Sequence, residues 1–372
     1  MTQTLGLGAL DASGARKFRH IPGLDGVRAV AVLLVVGLHF GNLWANLRPG
    51  GLIPGGYVGV DIFFVLSGFL ITSLLVGEKA QTGGVSFRHF YARRALRLLP
   101  ALYVVLLAFT AYTVWVGDSL HDGLREVASV VFYVANFAQI YKFPAMIRGG
   151  LGMTWSLAIE EQFYVIWPAV LVLVVLRFAR TRPAVLWTIG AGAIASALVR
   201  VVIWNWGSGY PAALMRPDAH ADGLLIGALC AFLWRWELVP TRWLRHAAVA
   251  SAVFLGYIAV MVRASDFMFN GGFLLASAAA GVIILAVVLG ESPLRAPMEW
   301  APLRAIGRVS YGVYLWHGLA LRVALHALHT RNRVLLLLTG SAILAAAVEA
   351  SWVVVEKPLL RLKRRVASPV TH

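Results

Sequence analysis

The sequence contains a single cysteine, Cys230, among its 372 residues. One cysteine excludes an internal disulfide and a zinc site built from cysteines. Charged residues are also scarce, since Asp, Glu, Lys and Arg together make up 13% of the chain, about half the share found in soluble domains. Hydrophobic residues instead make up 59%. This composition excludes a soluble enzyme, a disordered chain and a fibrous protein, and it is typical of a polytopic membrane protein.

Long apolar runs contain most of these hydrophobic residues. Each run is continuous over about 17–25 residues, the length that carries an α-helix across a bilayer, and none shows the alternating pattern of a membrane β-barrel. The sequence therefore predicts an all-α polytopic membrane protein with about ten transmembrane helices. The predicted spans are residues 27–45, 57–76, 98–116, 161–178, 184–204, 220–236, 247–263, 271–289, 311–328 and 334–355.

The basic residues predict the orientation of these helices. Lys and Arg number 33 against 17 Asp and Glu, and most of them fall in alternate connections if the chain starts in the cytoplasm. Cytoplasmic loops carry such an excess, so we expect both termini to be cytoplasmic and residues 117–160 to lie on the outer side, partly dipping back into the membrane. The positive charge thus follows from topology and does not indicate nucleic-acid binding. We expect one membrane domain over residues 21–358, between short basic cytoplasmic tails at 1–20 and 359–372.

Two ionisable residues share one face of the first predicted span. Arg28 and His39 are eleven residues apart, which turns an α-helix through about 1,100°, some 20° beyond three full turns. Ionisable residues inside a bilayer are costly and mark candidate functional sites. One interpretation is structural, with a snorkelling arginine and a hydrogen-bonded core histidine. The other is functional, with a cationic anchor at the cytoplasmic entrance and a neutral imidazole deep in the membrane that accepts a proton.

Three arginines repeat at helical spacing where the third span begins. They are Arg93, Arg94 and Arg97. They could belong to an interfacial helix that holds lipid phosphates, or they could form a fork of guanidinium groups for a phosphorylated cytosolic cofactor. Both interpretations rest on the same attraction between guanidinium and phosphate groups.

Carboxylates stand at the starts of two other spans. Asp61 lies at the outer start of the second span, where it could orient a histidine or cap the helix. Glu160 and Glu161 lead into the fourth span; adjacent helical residues point about 100° apart, so at most one of them easily faces any one site. The structural alternative places one in the lipid headgroups and the other in a cap or ion pair. Further along, Tyr314 and His317 share a helix face. No His-Glu-x-x-His metal motif occurs, and we expect no bound metal ion.

Seven segments, taken in order, resemble motifs of the integral-membrane acyltransferase-3 family. They are Arg28 with His39, Gly59–Ile71, Phe90–Pro100, Thr154–Tyr164, Asp222–Leu224, Ser310–His317 and Glu356–Pro358. Together they extend over essentially the whole chain. The sequence departs from the family pattern at His220, where arginine is often found two residues before the position of Asp222. It also departs at Gly318 and Leu319, where Trp-Pro is common.

The resemblance implies a multi-pass protein of the bacterial cell membrane that moves acyl groups from acyl-coenzyme A to sugar hydroxyls. We therefore expect a membrane O-acyltransferase that transfers an acetyl or short-chain acyl group to a sugar-bearing acceptor, such as a glycosylated antibiotic (a macrolide) or a cell-surface polysaccharide. Acyl-coenzyme A would be a co-substrate, and no cofactor would be bound permanently. The alternative is a transporter or flippase for lipid-linked or glycosylated molecules, and the absence of internal sequence repeats argues against it.

The resemblance also suggests roles for individual residues. His39 would take the proton of the acceptor hydroxyl or carry the acyl group transiently. A carboxylate would orient its imidazole, and arginines would hold the phosphates of the donor. The candidate catalytic residues are His39, Glu160, Glu161 and Asp61; the candidate donor-binding residues are Arg28, Arg93, Arg94 and Arg97; the candidate substrate-binding residues are Trp155, Tyr164, Asp222, Tyr314 and His317.

Overall fold

The computed structural model describes residues 20–47, 51–142, 150–179, 181–207, 209–290 and 292–359. Within these ranges the regular secondary structure consists of helices, with no strand, which confirms the all-α class. Apart from residues 20 and 359, the two predicted basic tails lie outside the described residues.

Helices follow one another along the described residues. Three of them are extended by π-helical segments, which are Val170–Val175, Met268–Gly272 and Trp352–Glu356. In chain order the α-helices of four or more residues are α1 (Pro22–Gly41), α2 (Val58–Thr82), α3 (Phe87–Val116), α4 (Leu120–Val131), α5 (Ala135–Ile140), α6 (Trp155–Ala169), α7 (Arg182–Trp206), α8 (Tyr210–Met215), α9 (Asp222–Arg235), α10 (Thr241–Met261), α11 (Phe273–Leu289), α12 (Arg295–Met298), α13 (Ala301–Arg308), α14 (Ser310–Leu328) and α15 (Arg333–Ser351). A further α-helical turn of three residues, Leu176–Phe178, follows the π-helical segment Val170–Val175.

Eight helical segments in the described part of the chain are long and apolar enough to cross a membrane. The other two predicted spans correspond to α9 and α14. Helix α9 has 14 residues, about 21 Å of helix against a hydrocarbon core of about 30 Å, and α14 carries the polar residues His317, Arg322 and His326. The orientation of the termini stays a prediction. The eight segments are Pro22–Trp44, Val58–Thr82, Phe87–Val116, Gly152–Leu173, Arg182–Trp206, Thr241–Met261, Met268–Leu289 and Arg333–Leu359.

Helix α2 packs against α1, α9 and α11, and glycines allow α9 to reach its backbone. A β-carbon on Gly68 of α2 would lie 1.9 Å from the carbonyl oxygen of Leu224 in α9. A β-carbon on Gly227 of α9 would lie 2.1 Å from the carbonyl oxygen of Val65 in α2. Small residues permit such close contact between membrane helices. The short α9 is therefore held directly against the backbone of α2.

Helix α1 packs beside α13 and α14, and this contact determines which residues of α14 lie beside the candidate site residues of α1. A β-carbon on Gly307 of α13 would lie 1.8 Å from the carbonyl oxygen of Asp25 in α1. Since α14 follows α13 directly, the close contact at Gly307 fixes the height of α14 along α1. As a result, His317 of α14 lies beside His39 of α1.

Candidate active site

Arginines from two helices line a narrow cleft of about 120 Å³. Arg28 comes from α1, while Arg94 and Arg97 come from α3, where residues three apart face the same side. Glu160 and Glu161 of α6 also line the cleft. The expectation that only one of these two glutamates could face a single site is therefore wrong. The cleft covers a broad sector of α6, because its lining residues there recur at positions i, i+1, i+4, i+5 and i+8: Ser156, Leu157, Glu160, Glu161 and Tyr164.

Hydroxyl and guanidinium groups bind both carboxylates inside this cleft. Arg94 Nη2 donates to Glu161 Oε1 at 3.3 Å, and the hydroxyl groups of Ser67 and Tyr164 donate to Glu160. The Arg94 guanidinium also lies over the Tyr164 ring, 3.1 Å from its centroid, in a cation–π contact. These contacts fix the position of Arg94. The two glutamates make these hydrogen bonds within the cleft and not with His39.

The cleft as a whole attracts anions. Three guanidinium groups and two carboxylates line it, so positive charge is in excess, and a narrow cleft between low-dielectric walls strengthens the field of that charge. Arg93 does not contribute, because its Nη2 lies 3.1 Å from Glu78 Oε2 and it is not among the residues that line the cleft. The structure thus separates Arg93 from its neighbour Arg94.

His39 lines a second, wider cavity of about 730 Å³ near the C-terminal end of α1. The eleven residues from Arg28 to His39 extend about 16 Å along the helix. The Nδ1–H of His39 donates to the carbonyl oxygen of Val35 at 2.9 Å. Because a carbonyl oxygen can only accept, the proton is on Nδ1 and the lone pair is on Nε2. His39 Nε2 is therefore in the form that accepts a proton.

His317 packs directly against His39. The two ring centroids are 4.9 Å apart and the rings meet edge to face. His317 Nδ1 donates to the carbonyl oxygen of Tyr314 at 2.6 Å, and its Nε2 is buried without a hydrogen-bond partner among the described residues. Unlike His39, His317 does not line the wide cavity.

A thin septum separates the narrow cleft from the wide cavity. Tyr314 lines the cleft and Met153 lines the cavity. The Tyr314 hydroxyl donates to the carbonyl oxygen of Met153 at 2.5 Å and is also hydrogen-bonded to Ser156. A β-carbon on Gly318 would lie 1.7 Å from Met153 Cε, so the glycine leaves room for the Met153 side chain. A residue that lines the cleft and a residue that lines the cavity are therefore in direct contact at this point.

The remaining predicted residues form a third cluster, in which Asp61 and Asp222 are fully buried and Trp155 is partly buried. His220 Nδ1 donates to the carbonyl oxygen of Leu214 at 2.7 Å, and a 3.0 Å hydrogen bond joins His220 Nε2 to Asp61 Oδ1. Asp61 therefore does orient a histidine, but that histidine is not His39. Both oxygens of Asp222 accept from Arg200, at 2.9 and 2.6 Å. Trp155 stacks on the His220 ring, with centroids 6.0 Å apart. Neither Asp61, Asp222 nor Trp155 lines the cleft or the wide cavity.

Sequence reasoning missed Arg200, although a signal was present. Arg200 stands inside the predicted span 184–204, and an arginine within an apolar span indicates a buried partner. An arginine thus accompanies Asp222, but it comes from α7 and not from two residues upstream. The position two residues upstream, His220, instead serves Asp61 on α2.

The structure brings most of the predicted site residues into two neighbouring places. In the described part of the chain, no group of three or more His, Cys, Asp and Glu residues is placed to hold a metal ion. The arrangement can hold an anionic group at the arginines and accept a proton at His39. The predicted residues that line the cleft are Arg28, Arg94, Arg97, Glu160, Glu161, Tyr164 and Tyr314. In the second place, His39 lines the wide cavity and His317 packs behind it.

Comparison with known proteins indicates the same family as the sequence motifs do. The sequence model of the family described as "Acyltransferase domain" matches residues 21–356. The "Putative peptidoglycan O-acetyltransferase YrhL" of Bacillus subtilis is 36% identical over 315 residues, covering 80% of this chain and 48% of that protein. The "Peptidoglycan O-acetyltransferase OatA" of Listeria monocytogenes is 32% identical over 313 residues, covering 80% of this chain and 49% of that protein. The chain thus spans about half the length of these relatives. No solved structure matches significantly.

Proposed function

This chain belongs to the acyltransferase domain family, and from that premise we propose that it transfers an acetyl or short-chain acyl group from acyl-coenzyme A to a hydroxyl of a sugar-containing acceptor. The observation that supports the proposal is the placement of two cavities on either side of the Tyr314 septum. The narrow cleft carries three arginines, and the wide cavity carries His39 together with one arginine, Arg322. A donor and an acceptor can therefore approach the same point from opposite sides.

The arginine cleft is the proposed donor site. Acyl-coenzyme A carries phosphates, and guanidinium groups bind phosphates through paired, charge-assisted hydrogen bonds. Arg28 and Arg97 lie beside Arg94, whose own position is fixed by Glu161 and Tyr164. We assign the two glutamates to this supporting role, because their hydrogen bonds lead to the cleft and not to His39.

His39 is the proposed general base. Its Nε2 takes the proton of the acceptor hydroxyl while the hydroxyl oxygen bonds to the thioester carbonyl carbon. The carbon–sulfur bond then breaks, the electron pair leaves on sulfur, and the proton passes from His39 to that thiolate. The products are an ester and the thiol of coenzyme A. The Val35 carbonyl, bonded to Nδ1–H, supports the transient imidazolium where other enzymes use a carboxylate.

The Tyr314 hydroxyl is the proposed donor to the oxyanion. It lies at the septum, between the cleft and the cavity, where the thioester carbonyl must come to meet His39. Donors held at the place where charge develops are among the largest contributions to catalysis. In this step Tyr314 exchanges its bond to the Met153 carbonyl oxygen for one to the oxyanion.

The acceptor that we favour is a cell-wall glycan such as peptidoglycan. The names of the relatives in Bacillus subtilis and Listeria monocytogenes both give peptidoglycan as the target of O-acetylation. A glycosylated antibiotic such as a macrolide, or another surface polysaccharide, presents the same sugar hydroxyl and would react by the same chemistry.

The direct test uses purified protein in lipid nanodiscs with labelled acetyl-coenzyme A, with and without disaccharide fragments of peptidoglycan. We expect coenzyme A release that depends on the glycan and label recovered as a sugar ester in equal amount. The matched control is His39→Gln, which keeps hydrogen bonding but cannot act as a base. A protein that moves glycans across vesicle membranes without releasing coenzyme A would be the alternative transporter.

A further inference from the structure

Four aromatic and imidazole rings lie together at the C-terminal ends of α3 and α14, and we call them the ring platform. They are Tyr112, Trp115, His326 and His329. The Trp115 ring lies 4.8 Å from His326 and the His326 ring lies 5.4 Å from His329, centroid to centroid. We propose that the ring platform binds a sugar unit of the acceptor glycan, a site that rests on the proposed function and adds an acceptor subsite to it.

The ring platform is continuous with the cavity of His39. Tyr112, His326 and His329 line that cavity, and Trp115 packs on His326 while 56% of its own surface is exposed. Sugar rings present C–H groups on one face and hydroxyls at their edges. Flat aromatic rings can contact the C–H face, and imidazole and phenol groups can hydrogen-bond the hydroxyls.

The backbone at His329 supports a binding role for this ring. His329 has φ of +44° in the left-handed region, which non-glycine residues adopt at an energetic cost. Glycine is the usual residue at this position after a helix, so a purely structural role at the helix end would not require histidine. Backbone strain of this kind gathers at binding and catalytic sites.

The distance between the ring platform and His39 sets the size of the acceptor. His326 is nine residues after His317 on α14, which is about 13 Å along the helix. That is longer than a single sugar ring, and His317 itself contacts His39. A glycan that places one hydroxyl at His39 and a sugar ring on the platform must therefore contain at least two linked sugars.

Membrane proteins also carry exposed tryptophans at the bilayer surface, and this is the competing explanation for Trp115. The chain offers a matched control in Trp206, which is 79% exposed, is the last residue of α7 and does not line the cavity. A surface anchor predicts equal effects at the two tryptophans, whereas the ring platform predicts an effect at Trp115 alone.

The experiment measures acetyl transfer to β-1,4-linked N-acetylglucosamine oligomers of one to four units, with labelled acetyl-coenzyme A as donor. For the wild type we expect KM to fall about tenfold or more from one unit to three. Trp115→Ala and His326→Ala should abolish that gain while kcat stays within about twofold, the pattern of lost ground-state binding. Trp206→Ala should behave as the wild type. His329→Gly should raise the melting temperature and still weaken the binding of the longer oligomers.

Saturation-transfer NMR measures binding of the oligomers in the absence of donor. This measurement separates the ring platform from the proposed function. If the wild type acetylates no oligomer yet binds the longer ones through Trp115, the proposed function fails and the ring platform stands. If the wild type acetylates the oligomers with a KM independent of length, or if Trp115→Ala keeps the length dependence, the ring platform is overturned. Equal losses in Trp115→Ala and Trp206→Ala would also overturn it.

Discussion

His317 presents its ring edge-on to His39, with centroids 4.9 Å apart and planes 63° from parallel. Each histidine donates Nδ1–H to a carbonyl oxygen of its own helix, at Val35 and Tyr314. Both rings therefore have the same tautomer, with the lone pair on Nε2. They differ in access, because His39 lines the wide cavity while His317 is fully buried. Of the two, only His39 can be reached by an acceptor in the wide cavity, which is why we propose His39 as the general base and His317 as the residue that positions it.

The first prediction compares the two histidines by substitution. His39→Gln should fold, insert and lose about 10²–10⁴ in kcat, the usual value of general acid–base catalysis. His317→Asn keeps a donor for the Tyr314 carbonyl oxygen and should lose about tenfold, with an unchanged pH profile. Single-turnover rates across pH 5–9 check both. Near-normal turnover in His39→Gln together with a large loss in His317→Asn would reverse the roles.

The second prediction concerns the donor site. Arg97→Gln should raise KM for acetyl-coenzyme A by about tenfold to a hundredfold, because a hydrogen bond to a charged group contributes roughly 1.5–3 kcal/mol. Arg93→Gln is the matched control: it removes the same charge from the same helix, but Arg93 pairs with Glu78 outside the cleft. Initial rates over a donor titration distinguish them. Equal increases in the two variants would indicate a general effect of surface charge.

The third prediction assigns Asp222 a structural role in place of substrate binding. Asp222→Ala leaves the fully buried Arg200 without its carboxylate, which should lower the free energy of unfolding by about 3–5 kcal/mol. Combining Arg200→Met with Asp222→Leu removes both charges and should restore most of the stability and a normal acceptor KM. Thermal unfolding in detergent and initial rates check this. A double variant that folds but does not bind acceptor would contradict the structural role and would show that Asp222 binds substrate.

The fourth prediction uses a buried carboxylate of α4 that lies beside Arg322 of the wide cavity. Glu126 Oε1 accepts from the Leu151 N–H at 2.6 Å, and Glu126 is only 2% exposed. Burial raises the pKa of Glu126 to about 7, although the Leu151 N–H and the charge of Arg322 act in the opposite direction.

The folded state therefore binds a proton at Glu126 that the unfolded chain loses near pH 4.3. Stability should be highest below that pH and should fall as the pH rises to about 7, by no more than about 4 kcal/mol. Glu126→Gln should flatten this decline, because its amide oxygen still accepts from Leu151. Melting temperatures at pH 5 and 8 test it, with exposed Asp118→Asn as control. A steeper decline in Glu126→Gln would contradict the account.

Features that depend on local helix geometry could be predicted from the sequence. The eleven-residue spacing placed Arg28 and His39 on one stripe, because an α-helix repeats every 3.6 residues. The order of motifs gave the family, which the match over residues 21–356 confirms. The apolar runs gave the all-α class, since only a helix satisfies its backbone within a single membrane span.

Features that depend on contacts between distant segments could not be predicted. The partner of Asp61 is His220, 159 residues away, and no local pattern connects them. Arg93 and Arg94 are neighbours in sequence, yet one pairs with Glu78 of α2 and the other with Glu161 of α6, because their side chains point to different helices. The septum at Tyr314 likewise forms only when α14 meets the segment around Met153.

Transfer across the septum is the central claim, and sidedness in proteoliposomes tests it most directly. Asp118→Cys reports orientation, because Cys230 is buried and a membrane-impermeant thiol reagent will label only the new cysteine when it faces outward. Labelled acetyl-coenzyme A is placed on the Arg28 side and a glycan oligomer on the His39 side. We expect labelled glycan with this arrangement and almost none when the two substrates are exchanged. Labelled glycan formed only when donor and acceptor share the Arg28 side would contradict the account.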